Sequence, residues 1–254
     1  MRVYVINLDR HVQRWERMQE LLQDVDLVRI PACDGTSFAG PPKREKFPRN
    51  FEDLTRFERA CFASHALAWD ALLASGASHA CILEDDVVLS PDFSSFVASS
   101  AWVPENCDVV KLETFSKKTV VGRPQHSFKG RDLVRLYAEH LGAAGYIVSR
   151  RGAEKLRAHA VRPNLPVDHL LFDVPSPIPD LRILQLVPAL CVQLWQTPQG
   201  IQGAQFESSI QSHEAFKENK RFFEKIIWEI TRPWRQVVDF FQKIPGAKRL
   251  IDFQ

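Results

Sequence analysis

The chain has few cysteines, almost no net charge and no long apolar run, and each shortage closes off a class of protein. Its five cysteines, Cys33, Cys61, Cys81, Cys107 and Cys191, are scattered, odd in number and free of any Cys-x-x-Cys pair. That argues against a disulfide framework or a cysteine zinc site, and for a reducing compartment. Thirty-three Lys and Arg against 31 Asp and Glu leave a formal net charge of +2, too even for a nucleic-acid binder. The apolar run Val3 to Ile6 is too short for a secretory signal core. The longest uncharged stretch, Ile183 to Phe206, contains Pro188, Pro198 and several glutamines, whereas a membrane span needs about 20 mainly apolar residues. There is no Gly-x-Ser-x-Gly elbow and no P-loop, which argues against serine hydrolases and P-loop kinases. Gly142 and Gly145 lack the helix and acidic follower of a dinucleotide fingerprint. The expectation is a cytoplasmic protein without a transmembrane anchor.

What is present suits a globular fold. At 254 residues with 45% apolar side chains, the chain can bury a full core and is not disordered as a whole. The first thirty residues read as strand, helix, strand. Val3 to Leu8 is β-rich, Asp9 is a candidate N-cap, and Val12, Trp15, Met18 and Leu22 recur at helical spacing. Leu27 to Ile30 begins a second strand, stopped by Pro31 and Asp34-Gly35. This βαβ unit predicts a Rossmann-like, mainly parallel sheet flanked by helices. A polar loop spans Ser37 to Asp53. Thr55-x-x-Glu58 then opens a helix through Phe62, Leu67 and Leu72 that should stop at Gly76. Strands are expected at 79–83, 108–112, 143–149 and 182–187, with a helix at 151–159 and a polar loop at 116–132.

The triplet Glu84-Asp85-Asp86 follows an apolar strand, so it sits at a strand's carboxyl end, where open α/β sheets bind ligands. Three adjacent carboxylates repel one another. Mg²⁺ or Mn²⁺ would relieve that repulsion and bridge to substrate phosphates, although an acidic loop start or a helix cap (Asp92 follows Pro91) accounts for such residues equally simply. Glu113 and Asp168 are candidate general bases, with capping or solvated roles as their alternatives. Ser64-His65 lies in a helix among apolar neighbours.

Taken together, the blocks resemble glycosyltransferase family 25, the bacterial lipooligosaccharide galactosyltransferases and their collagen-modifying relatives. The resemblance runs in order through Val5-Ile6-Asn7-Leu8-Asp9-Arg10 with Arg14, residues 58–69 (Glu-Arg-Ala-Cys-Phe-Ala-Ser-His-Ala-Leu-Ala-Trp), and Ile82-Leu83-Glu84-Asp85-Asp86-Val87. It continues through Val110-Lys111-Leu112-Glu113-Thr114, residues 142–150, Pro166-Val167-Asp168 and Pro188-Ala189-Leu190-Cys191. The resemblance implies a GT-A type fold, a UDP-sugar donor, inverting transfer and dependence on Mn²⁺ or Mg²⁺. The triplet would then stand for the Asp-x-Asp motif, with Asp86 as principal metal ligand, Glu84 as a second candidate, and Glu84 or Asp85 on the donor. Asn7 and Arg14 would lie near the uridine, and Ser64 and His65 would approach the donor. Asp168 would be the base and Glu113 the runner-up.

The implied reaction moves a hexose, galactose from UDP-galactose in a β linkage, onto a sugar hydroxyl of a lipid-linked lipooligosaccharide acceptor. A UDP-glucose-dependent enzyme of the same pathway, a metal-dependent phosphohydrolase and a non-catalytic glycan- or membrane-binding protein are the alternatives. The expected organisation is a catalytic domain at 1–205 and a helical, basic and aromatic extension at 206–254. From Ser212 onward nine Lys and Arg stand against six Asp and Glu, interleaved with Phe, Trp and Ile. Such a stretch suits either peripheral contact with the anionic inner membrane or a cap on the catalytic domain.

Overall fold

The structure, a computed structural model, describes residues 1–37, 54–160, 165–197 and 246–254. Strand β1 (Arg2–Asn7) sends alternate side chains to opposite faces. Val3 and Val5 join one apolar cluster with Met18 and Leu22, while Tyr4 and Ile6 join another with Trp69 and Leu72. Both faces of the strand are therefore covered, which is why its sequence is a continuous apolar run and not an alternation. Helix α1 (Val12–Leu21) buries Met18 and leaves Val12 exposed. Asp9 does not cap it: the helix starts after His11 without a side-chain cap, and the Asp9 carboxylate accepts from Arg29 at 2.6 Å. Strand β2 (Leu27–Pro31) pairs parallel with β1 and completes the βαβ unit.

Helix α2 (Arg56–Ser75) has the expected start, a capping box between Thr55 and Glu58, and ends on Gly76 in the left-handed region at φ 74°. Its core-facing stripe is Phe62, His65, Trp69 and Leu72, spaced to keep one face inward. Leu67, expected on that stripe, is on the outer side and exposed.

Strand β3 (His79–Glu84) pairs parallel with β1. After β4 (Val87–Leu89) and α3 (Phe93–Val97) come β5 (Val109–Lys111), β6 (Glu113–Thr114), β7 (Lys118–Phe128), β8 (Arg131–Leu136) and β9 (Gly145–Ser149). Helices α4 (Arg150–His159) and α5 (Val167–Phe172) follow, then β10 (Ile183–Val187), β11 (Cys191–Gln193) and β12 (Gly246–Leu250). Among the described residues a nine-stranded sheet has the order β12-β7-β8-β10-β5-β9-β3-β1-β2, and a small sheet has the order β4-β11-β6. The large sheet is mixed. Its β2-β1-β3 portion and the β5–β10 pair are parallel, while β9 runs antiparallel to both β3 and β5.

Three local expectations are corrected. Residues 116–132 are not a loop. They contain β7, which forms an antiparallel hairpin with β8 because Val121, Val134 and Leu136 bury in one cluster. The strands expected as far as 182–187 are followed by two more, β11 and β12. The final residues are strand, not helix: β12 pairs antiparallel with β7, and the next residue, Ile251, is buried. Residues 206–245 of the expected extension, the 205/206 boundary and residues 38–53 of the expected loop lie outside the described residues. No helix among the described residues is long and apolar enough to cross a membrane.

Candidate active site

Because β1 and β3 are parallel neighbours, with Ile6 opposite Glu84, their carboxyl ends emerge at the same sheet edge. A pocket opens there, lined by Arg14 of α1, Cys33 beyond β2, Phe57 and Ser64 of α2, and all three carboxylates of the triplet. Ligands bind at this edge in α/β sheets because side chains from several loops converge on it.

The three carboxylates occupy different environments. Asp85 is the structural one: it is buried, accepts from Asn7 Nδ2 at 2.6 Å and pairs with Arg14 at 3.1 Å. Asn7 is itself held by Arg29 Nε on its Oδ1 at 2.8 Å. Asn7, expected near the uridine, thus meets the site by way of Asp85, while Arg14, expected there too, both pairs with Asp85 and lines the pocket itself. Asp86 is the unsatisfied one. Its Oδ1 is buried with no hydrogen-bond partner among the described residues. Burial, then the charges of Glu84 and Asp85, push its carboxyl up to about 8. Glu84 goes the other way. Burial alone would raise its pKa, but hydrogen bonds from His65, Cys61 and Gln193 hold it below the usual carboxylate range.

An unsatisfied buried oxygen in a crowd of like charges is a place where a hard divalent cation fits, since the cation replaces the proton that Asp86 otherwise keeps. A softer donor set lies alongside: Cys61, His65 and Glu84 bring their ligand atoms within 4.8 Å of one another. The Cys61 thiol is raised far above its ordinary value by burial and by the Glu84 charge, which disfavours the thiolate that zinc would need.

Ser64 and His65 are held by the protein itself. The Ser64 hydroxyl donates to the Ala60 carbonyl at 2.7 Å and accepts from the Cys33 amide at 2.9 Å. His65 is fully buried, with Nδ1 2.9 Å from the Tyr146 hydroxyl and Nε2 3.3 Å from Glu84.

The two candidate bases meet at Gly142. Asp168, half-buried at the start of α5, accepts the Gly142 amide at 3.5 Å and the His169 amide at 3.0 Å. Glu113 is fully buried, accepts the Ala144 amide at 2.9 Å and pairs with the equally buried Lys111 at 3.4 Å. Burial raises its carboxyl to about 7 against the opposing pull of Lys111. Gly142 has φ +92°, and a Cβ there would stand 2.7 Å from the Glu113 carboxylate, so only glycine fits. The Ala144 carbonyl accepts the Glu84 amide at 2.9 Å. Residues 142–144 therefore tie Asp168, Glu113 and the triplet into one constellation.

Residues 1–171 match glycosyltransferase family 25, described as an LPS biosynthesis protein family. The chain belongs to glycosyltransferase family 25. The chain is 27% identical to the lipooligosaccharide biosynthesis protein lic2B of Haemophilus influenzae, over 99% of this chain and 98% of that protein. It is 36% identical to the lacto-N-neotetraose biosynthesis glycosyltransferase LgtE of Neisseria meningitidis serogroup B, over 55% of this chain and 54% of that one. A glycosyltransferase 25 family member of Drosophila melanogaster is 27% identical over 68% of this chain and 31% of its own length. All the candidate residues from Asn7 to Asp168 lie inside the family 25 match.

Sequence reasoning missed the parts that Tyr146, Trp69, Gln193 and Trp195 play around Glu84. A buried indole or phenol must find a partner, and that is the signal that singles out Trp69 and Tyr146. Which partner each takes depends on a strand pairing that the sequence does not display.

Proposed function

We propose that this glycosyltransferase moves a hexose, galactose from UDP-galactose, onto a sugar hydroxyl of lipooligosaccharide, with inversion to a β linkage. The family and the names of its relatives support the pathway. The observation that carries the donor site is the unpartnered Asp86 oxygen beside two further carboxylates at the pocket edge.

Asp86 would hold Mn²⁺ or Mg²⁺ through its unpartnered oxygen. When bound, the cation supplies charge that stabilises a leaving diphosphate. Asp85 is fixed by Asn7 and Arg14. On the acceptor side, inversion needs a carboxylate to take the hydroxyl proton as the oxygen attacks the anomeric carbon in line. Asp168 is the better candidate, since it is half-buried and its partners are backbone amides. Glu113 is sealed in the interior on Lys111, so its role is to hold residues 142–144. The basic-aromatic segment at 212–245 would dock on the anionic inner leaflet of the membrane, where a lipid-linked acceptor is presented.

Thermal unfolding with UDP, with UDP plus Mn²⁺, and with excess chelator tests the donor site. Ligand at 100 times its dissociation constant adds about 2.7 kcal/mol, a rise of roughly 5 to 10 °C in a chain this size. A shift that needs both UDP and metal is expected. No shift with either, or release of UMP or phosphate without an acceptor, would sink the transfer reading.

A further inference from the structure

Two hydrogen-bond chains end on Glu84, and their direction is set by chemistry. An indole N–H can only donate. Trp69 Nε1–H donates to the Tyr146 hydroxyl oxygen at 2.8 Å. The hydroxyl proton of Tyr146, fully buried, then has His65 Nδ1, 2.9 Å away, as its acceptor among the described residues. With Nδ1 accepting, neutral His65 carries its proton on Nε2 and donates to Glu84 Oε1 at 3.3 Å. From the opposite side, Trp195 Nε1–H donates to Gln193 Oε1 at 3.1 Å. That fixes the amide so that Gln193 Nε2 donates to Glu84 Oε2, also at 3.3 Å. Both carboxylate oxygens thus face donors only; Oε1 also takes the Cys61 thiol at 3.8 Å, which leaves the further lone pair on Oε2 of a carboxylate that lines the pocket.

The same polarity bears on the cluster of Cys61, His65 and Glu84. A metal on His65 Nε2 would send the imidazole proton to Nδ1 and strip the buried Tyr146 hydroxyl of its acceptor. The histidine is thereby built as a donor to Glu84, not as a ligand.

We propose that Trp69, Tyr146 and His65 on one side, and Trp195 and Gln193 on the other, are positioning residues that clamp Glu84 as a fixed hydrogen-bond acceptor for a hydroxyl of the donor sugar. The clamp stands on the geometry alone, while the sugar contact rests on the glycosyl-transfer reading above. It divides the labour in the triplet: Asp86 toward a cation, Asp85 toward the scaffold, Glu84 toward the sugar.

The full-length chain supplies both tests. Nitrogen-15 NMR of the imidazole should show His65 as the Nε2–H tautomer, and Tyr146→Phe should abolish that preference. An Nδ1–H tautomer in the parent would overturn the clamp. The sugar contact is read with UDP-galactose and its analogues lacking one hydroxyl at a time. In the parent, one analogue should lose roughly 10- to 100-fold in kcat/KM, the worth of a hydrogen bond to a charged group. Glu84→Ala should erase that discrimination. Gln193→Glu, which keeps the shape but turns a donor into an acceptor, should weaken it at a half-buried position even if Tyr146→Phe folds poorly. Discrimination unchanged in Glu84→Ala would sink the sugar contact. Absence of turnover with every UDP-hexose would sink the transfer reading and the sugar contact together, leaving the His65 tautomer to decide the clamp by itself.

Discussion

Lys111 is fully buried, and its ammonium is ringed by the carbonyls of Leu141 and Gly142, the Glu113 carboxylate and the Phe172 ring at 3.9 Å. Removing one member of such a pair strands the other charge in the interior, which costs about 3 to 5 kcal/mol. Lys111→Met should therefore lower stability by that order in denaturant melts, and adding Glu113→Gln should recover much of the loss. A double variant no better than Lys111→Met would show that the ammonium acts through the two carbonyls instead. The pair also predicts a pH slope. Glu113, raised to about 7 from 4.5, holds its proton more tightly folded than unfolded. Stability from this group is present in acid and falls as pH rises from about 4.5 to 7, and Glu113→Gln should flatten that slope. The depressed pKa of Lys111 acts in the opposite sense at more alkaline pH. Asp168→Asn separates the two carboxylates functionally. It should cost at least about 10² in rate, as loss of a general base does, with UDP binding intact; near-normal turnover would pass the proton to another group.

At the scale of elements, β12 and the residue after it show how a short C-terminal segment secures the site. Ile251 is buried among Val121, Val134, Leu136 and Ala189. Its carbonyl accepts the Thr114 hydroxyl at 2.6 Å, and Arg131 reaches the Gln254 carbonyl at 2.8 Å. Thr114 lies in β6, which pairs with β11, the strand that carries Gln193. Ile251→Ala should cost about 3 kcal/mol from the lost burial and the cavity left behind, roughly 6 to 12 °C. Leu250→Ala, at an exposed neighbour, is the control and should change little. Equal melting of both variants would mean that this end of the chain does not pack as described. None of this segment was legible in the sequence, where basic and aromatic residues suggested a helical extension broken only at Pro233 and Pro245. Local pattern sufficed for β1, for α2 with its capping box, and for the strand end that presents the triplet, because each signal lies within a few residues of what it specifies. Asp9 failed as a cap because Arg29, twenty residues on, claims its carboxylate. The hairpin at 118–136 was missed because many of its residues are polar and its apolar partners, Ala189 and Ile251, are far apart in sequence. The clamp on Glu84 was hidden for the same reason, being assembled from α2, β9, β11 and the turn after β11.

For the whole molecule, the described residues gather the pocket on one sheet edge while β12 ends on the far side of the sheet, next to β7. The basic segment at 212–245 lies between residue 197 and β12 in sequence. Truncating the chain to test membrane docking would remove β12 and Ile251 as well, and so confound docking with unfolding. Neutralising charge avoids this. Lys217, Lys220, Arg221 and Lys225 lie close together in sequence, and each basic residue near an anionic leaflet contributes about 1 kcal/mol. Replacing all four by Gln should weaken sedimentation with phosphatidylserine-containing vesicles by up to about 10³-fold. Zwitterionic vesicles should bind parent and variant alike, and the UDP- and metal-dependent thermal shift should be unchanged, because the pocket is built from other residues. Raising the salt concentration should mimic the substitutions in the parent, since charges at a membrane surface are screened within about 10 Å at 0.1 M. Equal sedimentation of the two proteins on anionic vesicles would remove the membrane from the reaction and leave an acceptor met in solution.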